Sequence, residues 1–134
     1  MTSIGGLLWI VAVSAAEIAP ARVLDNFESL TPWTAHHTDD VTATLHAVDG
    51  KVGKSLRLQF DFTDQRGNAI NGYATARRDL PLQLPDNYEL SFWIRGEAPV
   101  NTLQFKLIDA SGENVWWLNR PDFTFPHDWQ QIRV

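Results

Sequence analysis

A tryptophan placed among polar side chains is the feature of this sequence best suited to binding a ligand. Within Tyr88–Arg95, the period-two alternation of a β-strand places Trp93 and Arg95 on the face opposite Phe92 and Ile94. An indole in water exposes apolar surface unless something covers it. A sugar ring is a suitable cover, because its C–H face stacks on indole while its hydroxyls need hydrogen-bond partners. The pattern therefore predicts a carbohydrate platform at Trp93.

The next two strands extend this polar face. In Thr102–Asp109, Gln104 and Lys106 oppose an apolar row. Trp116 and Trp117 are adjacent in the following strand, so the pleat points them to opposite faces; one joins the core and the other joins Trp93. The predicted carbohydrate-binding residues are Trp93, Arg95, Gln104, Lys106, Trp116 or Trp117, and additionally Arg57 and Gln59.

Catalytic chemistry finds less support in the sequence. Glycoside hydrolysis needs two carboxyl groups about 5 to 10 Å apart across a cleft. No spacing selects a pair among the candidate acids, and aspartate commonly forms turns; the candidates are Asp39, Asp40, Asp109, Glu113, Asp122 and Asp128. We therefore expect no catalytic residue here. A jelly-roll glycosidase or lyase is an alternative, and it would need a carboxylate or Tyr/His pair converging on the same groove.

Metal binding is expected only for a hard cation. The histidines have no HxxxH or similar spacing, and the sequence contains no cysteine. Asp25 and Glu28, together with backbone carbonyls of the 49–54 loop, could supply the oxygen ligands that calcium prefers. Acidic residues at a strand end are otherwise simply solvated.

Short strands separated by turn residues position these groups. Ser55–Phe62 alternates most cleanly, with Leu56 and Phe60 inward and Arg57 and Gln59 outward. The other predicted strands are Val23–Glu28, Val41–Val48, Tyr73–Arg78, Tyr88–Arg95, Thr102–Asp109, a strand through Trp116 and Trp117, and a final strand ending at Val134. About eight strands at this spacing predict an all-β, antiparallel β-sandwich of the jelly-roll type.

Composition narrows the class of partner. The 134 residues suffice for one domain with a core, and 44% hydrophobic and 20% charged residues are typical of a globular protein. The net charge of −5 argues against a nucleic-acid partner, and no run of Lys or Arg favours an anionic membrane.

The two ends of the sequence carry their own expectations. The apolar run Leu7–Ala16 is followed by small residues suited to signal peptidase, so residues 1–21 are predicted to be a signal peptide. The alternative is a buried N-terminal strand or a mis-assigned start. Residues 22–134 form the predicted β-sandwich module. Because the alternating pattern still runs at Val134, we expect this module to be incomplete at its C-terminus.

Three segments resemble one family. VLDNFESL, GKVGKSLRLQFDF and ELSFWIRGEAPVNTLQFKLIDASGENVWWLN are similar to galactose-binding-like jelly-roll modules. The similarity is greatest to the family 11 type of carbohydrate-binding module and to discoidin-like N-terminal modules of exported bacterial glycoside-hydrolase-associated proteins. The resemblance implies a structural calcium, with Asp25, Glu28 and Asp49 at the matching positions.

Together these observations predict a non-catalytic module that binds a polysaccharide or oligosaccharide. The expected setting is a secreted or periplasmic glycan-degrading protein, with a downstream domain in the same chain and no membrane contact once the signal peptide is removed. The alternative from another class is a protein-interaction or interdomain-packing module, in which the outer tryptophans are covered.

Overall fold

The computed structural model describes residues 21–134, and within that range the protein is all-β with eight strands and no helix. The strands are β1 (Thr34–His37), β2 (Thr42–Asp49), β3 (Lys54–Asp61), β4 (Ala74–Arg77), β5 (Ser91–Ile94), β6 (Asn101–Ile108), β7 (Val115–Phe123) and β8 (Gln130–Arg133). The predicted all-β class is thus confirmed. The predicted signal peptide lies outside the described residues, apart from Ala21.

The strands associate as four antiparallel pairs. Pairs β2–β3 and β6–β7 are hairpins of consecutive strands, while β1–β4 and β5–β8 join strands that are far apart in sequence. Within residues 21–134, backbone hydrogen bonds do not join these pairs into a larger sheet. The antiparallel arrangement agrees with the sequence, while a jelly-roll connection of the pairs remains a prediction.

The β2–β3 hairpin shows how alternation sets the faces. Leu58 lies opposite Leu45, and Phe60 lies opposite Ala43, so apolar side chains share one face. On the other face Gln59 lies opposite Thr44. Because a slip of one residue would exchange the two faces, this pattern fixes the register of the hairpin.

The β6–β7 hairpin contains an irregularity where proline enters the strand. The register shifts between Asn101 and Leu103, opposite the part of β7 that contains Pro121. Proline cannot donate a ladder hydrogen bond and is tolerated in strands at bulges or edges. Asp122 next to it has a positive φ of 54°. Despite the proline, β7 continues to Phe123.

The segment Val23–Glu28 is not a strand, so this prediction was wrong. Its backbone donors bond to local side chains instead: Phe27 N–H donates to Asp25 Oδ1 at 2.7 Å, and Glu28 N–H donates to Asn26 Oδ1 at 3.2 Å. Phe27 also has a positive φ of 58°. Such short-range bonds compete with a strand ladder.

Few side chains of the described part are fully enclosed. Among residues 21–134, Val41 and Ile132 are the buried hydrophobic side chains. The apolar rows of β3, β5 and β6 are half-buried. The rings of Phe92 and Phe105 stack with centroids 5.5 Å apart, which joins the inner faces of β5–β8 and β6–β7.

No helix among residues 21–134 combines the length and apolar character needed to cross a membrane.

Candidate functional site

Trp93 lies on the outer face of the β5–β8 pair. It is opposite Gln131, whereas its neighbour Phe92 is opposite the buried Ile132. The Trp93 side chain remains 45% exposed. Beside it, Gln131 Nε2 donates to Ser91 Oγ at 3.3 Å. An accessible indole with polar neighbours is therefore present at this position, and the neighbours seen here are Ser91 and Gln131, whereas the predicted Gln104 and Lys106 lie opposite Asn119 and Trp117.

An ammonium group covers the Trp93 ring. Lys51 Nζ lies 3.2 Å from the ring centroid, a cation–π geometry. Lys51 belongs to the turn between β2 and β3, so two distant parts of the sequence meet here. We refer to Lys51, Trp93, Ser91 and Gln131 as the Trp93 site. Sequence reasoning missed Lys51, because an Asp-Gly turn signal gives no information on the distant strand that the turn contacts.

The β6–β7 pair repeats this arrangement around Trp117. Trp117 lies directly opposite Lys106, whose Nζ is 5.1 Å from the indole centroid. The next pair along the same face is Gln104 and Asn119, and Gln104 Nε2 donates to Asn119 Oδ1 at 3.1 Å. Trp117 is 57% exposed. We refer to these four residues as the Trp117 site.

Trp116 points to the opposite face. It lies opposite Leu107, and it borders an apolar groove of about 270 Å³ between the β5–β8 and β6–β7 pairs. Although it is on the inner face, Trp116 is 58% exposed. Of the two adjacent tryptophans, Trp117 is thus the one on the polar face. The apolar groove is lined by Tyr88, Leu90, Phe105, Leu107, Trp116, Trp117, Leu118 and Val134.

The remaining predicted sugar-binding residues have other neighbours. The Arg95 guanidinium carbon is 5.1 Å from the centroid of Trp129, so this arginine is placed against a different ring. Arg57 and Gln59 lie on β3, opposite His46 and Thr44. They share a hairpin with Lys51 but not a strand pair with either tryptophan.

The two outer indoles do not stack on one another. Among residues 21–134 the aromatic rings in contact are four other pairs, Phe27–Trp33, Phe60–Phe62, Phe92–Phe105 and Phe123–Phe125. The Trp93 and Trp117 sites are therefore two separate platforms, each with its own lysine.

Asp25, a predicted calcium ligand, is surrounded by donors. Its Oδ1 accepts from Phe27 N–H, and its Oδ2 accepts from Trp33 Nε1 at 2.9 Å and from the Arg78 guanidinium. Burial alone would raise the Asp25 pKa, but the hydrogen bonds from Phe27, Arg78 and Trp33 outweigh it and lower the pKa. An arginine on the carboxylate disfavours a cation at the same oxygens.

Glu28 and Asp49 also have other partners. Glu28 Oε1 accepts from Lys54 N–H at 2.9 Å, which brings Glu28 to the β2–β3 turn as expected. Asp49 pairs with Lys54 Nζ at 2.9 Å. Within residues 21–134 no three acidic or histidine side chains converge as a metal site. The carboxylates as arranged do not fit a calcium ion, and calcium binding stays a prediction.

Asp109 serves the turn between β6 and β7. Its Oδ1 accepts from Ser111 N–H, Ser111 Oγ and Gly112 N–H, and its Oδ2 accepts from Asn114 Nδ2 at 2.6 Å. The bonds from Asn114 and Ser111 lower the Asp109 pKa to about 2. A general acid would need a raised pKa instead. Asp109 is therefore a turn-forming aspartate, as its sequence position indicates.

A scan against protein-family models, a search of curated proteins and a search of solved structures each returned no match for this chain. The resemblance to galactose-binding-like modules therefore remains a prediction from the residues.

Proposed function

We propose that this protein is a non-catalytic carbohydrate-binding module whose ligand stacks on Trp93 and Trp117. The observation that carries the proposal is that both indoles are about half exposed on polar faces, each beside amide side chains. Indole supplies a flat apolar surface, and amides donate and accept hydrogen bonds to hydroxyls. This is the combination that a sugar ring requires.

The separation of the two indoles favours a polymer over a single sugar. The Trp93 and Trp117 sites belong to different strand pairs and their rings do not touch. A polysaccharide that contacts both gains from linked binding events, since the second event is intramolecular. The resemblance to galactose-binding-like modules adds a jelly-roll arrangement and an exported parent protein with a downstream domain to this proposal.

The apolar groove favours a second candidate function. Trp116 and Tyr88 are exposed there beside half-buried leucines, and exposed apolar patches commonly mark protein contacts. An interdomain-packing or protein-interaction module would use this surface and would need no sugar.

Substitution of the adjacent tryptophans separates the two functions. We predict that Trp93→Ala and Trp117→Ala each weaken polysaccharide binding several-fold, because stacking on an aromatic ring contributes about 1 kcal/mol. Trp116→Ala is the matched control, since Trp116 is equally exposed but faces the groove. Binding is measured by affinity electrophoresis over a panel of soluble plant and microbial polysaccharides, with circular dichroism to verify folding.

Failure of the wild type to be retarded by any polysaccharide would refute the carbohydrate proposal. An effect of Trp116→Ala as large as that of Trp117→Ala would instead place the ligand in the groove.

A further inference from the structure

Lys51 lies in the β2–β3 turn, which is stabilised by a hydrogen bond within the turn and by a contact with Glu28. Gly50 N–H donates to the Gly53 carbonyl oxygen at 2.8 Å, and Gly53 has a positive φ of 63°. The Glu28 carboxylate accepts from Lys54 N–H, and a Cβ on Gly53 would collide with that carboxylate. These contacts fix the conformation of the turn that carries Lys51.

The Lys51 ammonium competes with a neutral sugar. At 3.2 Å from the ring centroid, Nζ occupies the Trp93 face on which a sugar would stack. A neutral sugar that displaces Nζ removes the cation–π contact and offers only hydroxyls in exchange. A sugar with a carboxylate or sulfate group offers the displaced ammonium a charge-assisted hydrogen bond. An anionic sugar therefore compensates for the lost cation–π contact better than a neutral sugar does.

The same chemistry is present at the second platform. Lys106 Nζ lies 5.1 Å from the Trp117 centroid and shares its face. The two platforms thus carry one indole and one ammonium each, although they come from unrelated turns and strands.

Neither ammonium is neutralised by a carboxylate of residues 21–134. The ion pairs in that range are Lys54–Asp49, Arg78–Asp25 and Arg133–Glu89, and none involves Lys51 or Lys106. The protein as a whole carries a net charge of −5, so general electrostatics disfavour a polyanion. Two locally positive aromatic sites on an acidic protein point to recognition of a specific negative group.

We infer that the ligand is an acidic polysaccharide, whose sugar rings stack on Trp93 and Trp117 while their carboxylate or sulfate groups pair with Lys51 and Lys106. This inference rests on the proposed carbohydrate-binding function and names its ligand class. Lys51 acts as the residue that selects charged over neutral glycans.

The test uses matched charged and neutral polymers. Native affinity gels contain one of four polymers. Polygalacturonate and its carboxyl-reduced form test the carboxylate group, and dextran sulfate and dextran test the sulfate group. We expect tighter binding to the charged member of one or both pairs. Lys51→Gln should weaken that binding about two- to fivefold, the range for a solvent-exposed charge pair, without weakening binding to the neutral polymer. Lys51→Gln/Lys106→Gln should abolish the preference.

Lys54→Gln is the matched control, because Lys54 lies in the same turn but already pairs with Asp49. Each single variant changes the net charge equally, and a gel without polymer corrects for mobility. If Lys51→Gln and Lys54→Gln weaken binding to the charged polymer equally, the effect comes from overall charge, and the inference is overturned. Equal binding of charged and neutral polymers would overturn it while leaving the carbohydrate proposal intact. Absence of binding to all four polymers and to the wider panel would overturn both.

Discussion

The Phe27 N–H and the Arg78 guanidinium keep the largely buried Asp25 carboxylate charged near the start of the described chain. The side chains of Asp25 and Arg78 are only 12% and 23% exposed, and they form an ion pair. Trp33 adds a hydrogen bond from its indole nitrogen and packs against Phe27, with ring centroids 5.4 Å apart. Asp25, which sequence reasoning assigned to calcium, is thus joined to an aromatic cluster of Phe27 and Trp33. This cluster takes the place of the predicted first strand.

We predict that Arg78→Met lowers the free energy of unfolding by about 1–3 kcal/mol, because the Asp25 carboxylate then loses a charged partner in a poorly solvated position. Urea unfolding followed by tryptophan fluorescence measures the change. Arg77→Met is the matched control, since Arg77 is the adjacent residue and its side chain is exposed.

The pH dependence gives this prediction a second readout. The folded-state pKa of Asp25 lies below its ordinary value of 3.8, so its contribution to stability is present above about pH 4 and is lost as the pH falls through the lowered pKa. In Arg78→Met this acid-side loss should begin at higher pH. Equal stability changes in the Arg77 and Arg78 variants would contradict the role of the ion pair.

The β6–β7 hairpin depends on a single carboxylate at its turn. Asp109 holds the N–H groups of Ser111 and Gly112, and Gly112 has a positive φ of 77° that suits glycine. This turn sets the register that places Lys106 opposite Trp117. The geometry of the Trp117 site therefore depends on the conformation of this turn.

Acid should loosen this turn at a defined pH. The Asp109 pKa falls from 3.8 to about 2, so the turn keeps its stabilisation above about pH 4 and loses it as the pH drops through about 2. We predict that the backbone amide shifts of Ser111 and Gly112, followed by NMR, titrate with a midpoint near pH 2. Asp109→Asn should remove this titration. A midpoint near 3.8 in the wild type would show that the carboxylate is not held by these donors.

Local patterns predicted the regular strands well. The alternation over Ser55–Phe62 corresponds to β3, and the two strands around Trp93 and Lys106 correspond to β5 and β6. In these strands, the period of two coincides with one apolar face and one polar face, so local and tertiary preferences agree.

The failures occurred where contacts distant in sequence or side-chain bonds to the backbone decide the structure. The strand Thr34–His37 was not predicted, because its pairing with β4 depends on residues about forty positions away. Where the first strand was expected, the Asp25 and Asn26 side chains accept hydrogen bonds from backbone N–H groups that a strand ladder would use. The Lys51–Trp93 contact has no local signature at all. Sequence thus identified both tryptophans and Lys106, but not Lys51, which covers the Trp93 ring.

The described chain as a whole presents two chemically different surfaces. The Trp93 and Trp117 sites combine indole, amide and ammonium groups, whereas the apolar groove offers aromatic and aliphatic side chains. Trp116 and Trp117 sit next to each other and are equally exposed. Trp116 faces the apolar groove, whereas Trp117 lies on the polar face and also borders the groove. Whether the ligand contacts Trp116 therefore reports which surface is functional.

The most direct measurement is an NMR titration of the tryptophan indole N–H signals with a polysaccharide that retards the protein in gels. Carbohydrate binding on the polar faces predicts that the Trp93 and Trp117 signals move together and saturate, while those of Trp33 and Trp116 stay in place. Shifts confined to Trp116, or no saturable shift at Trp93, would contradict the account.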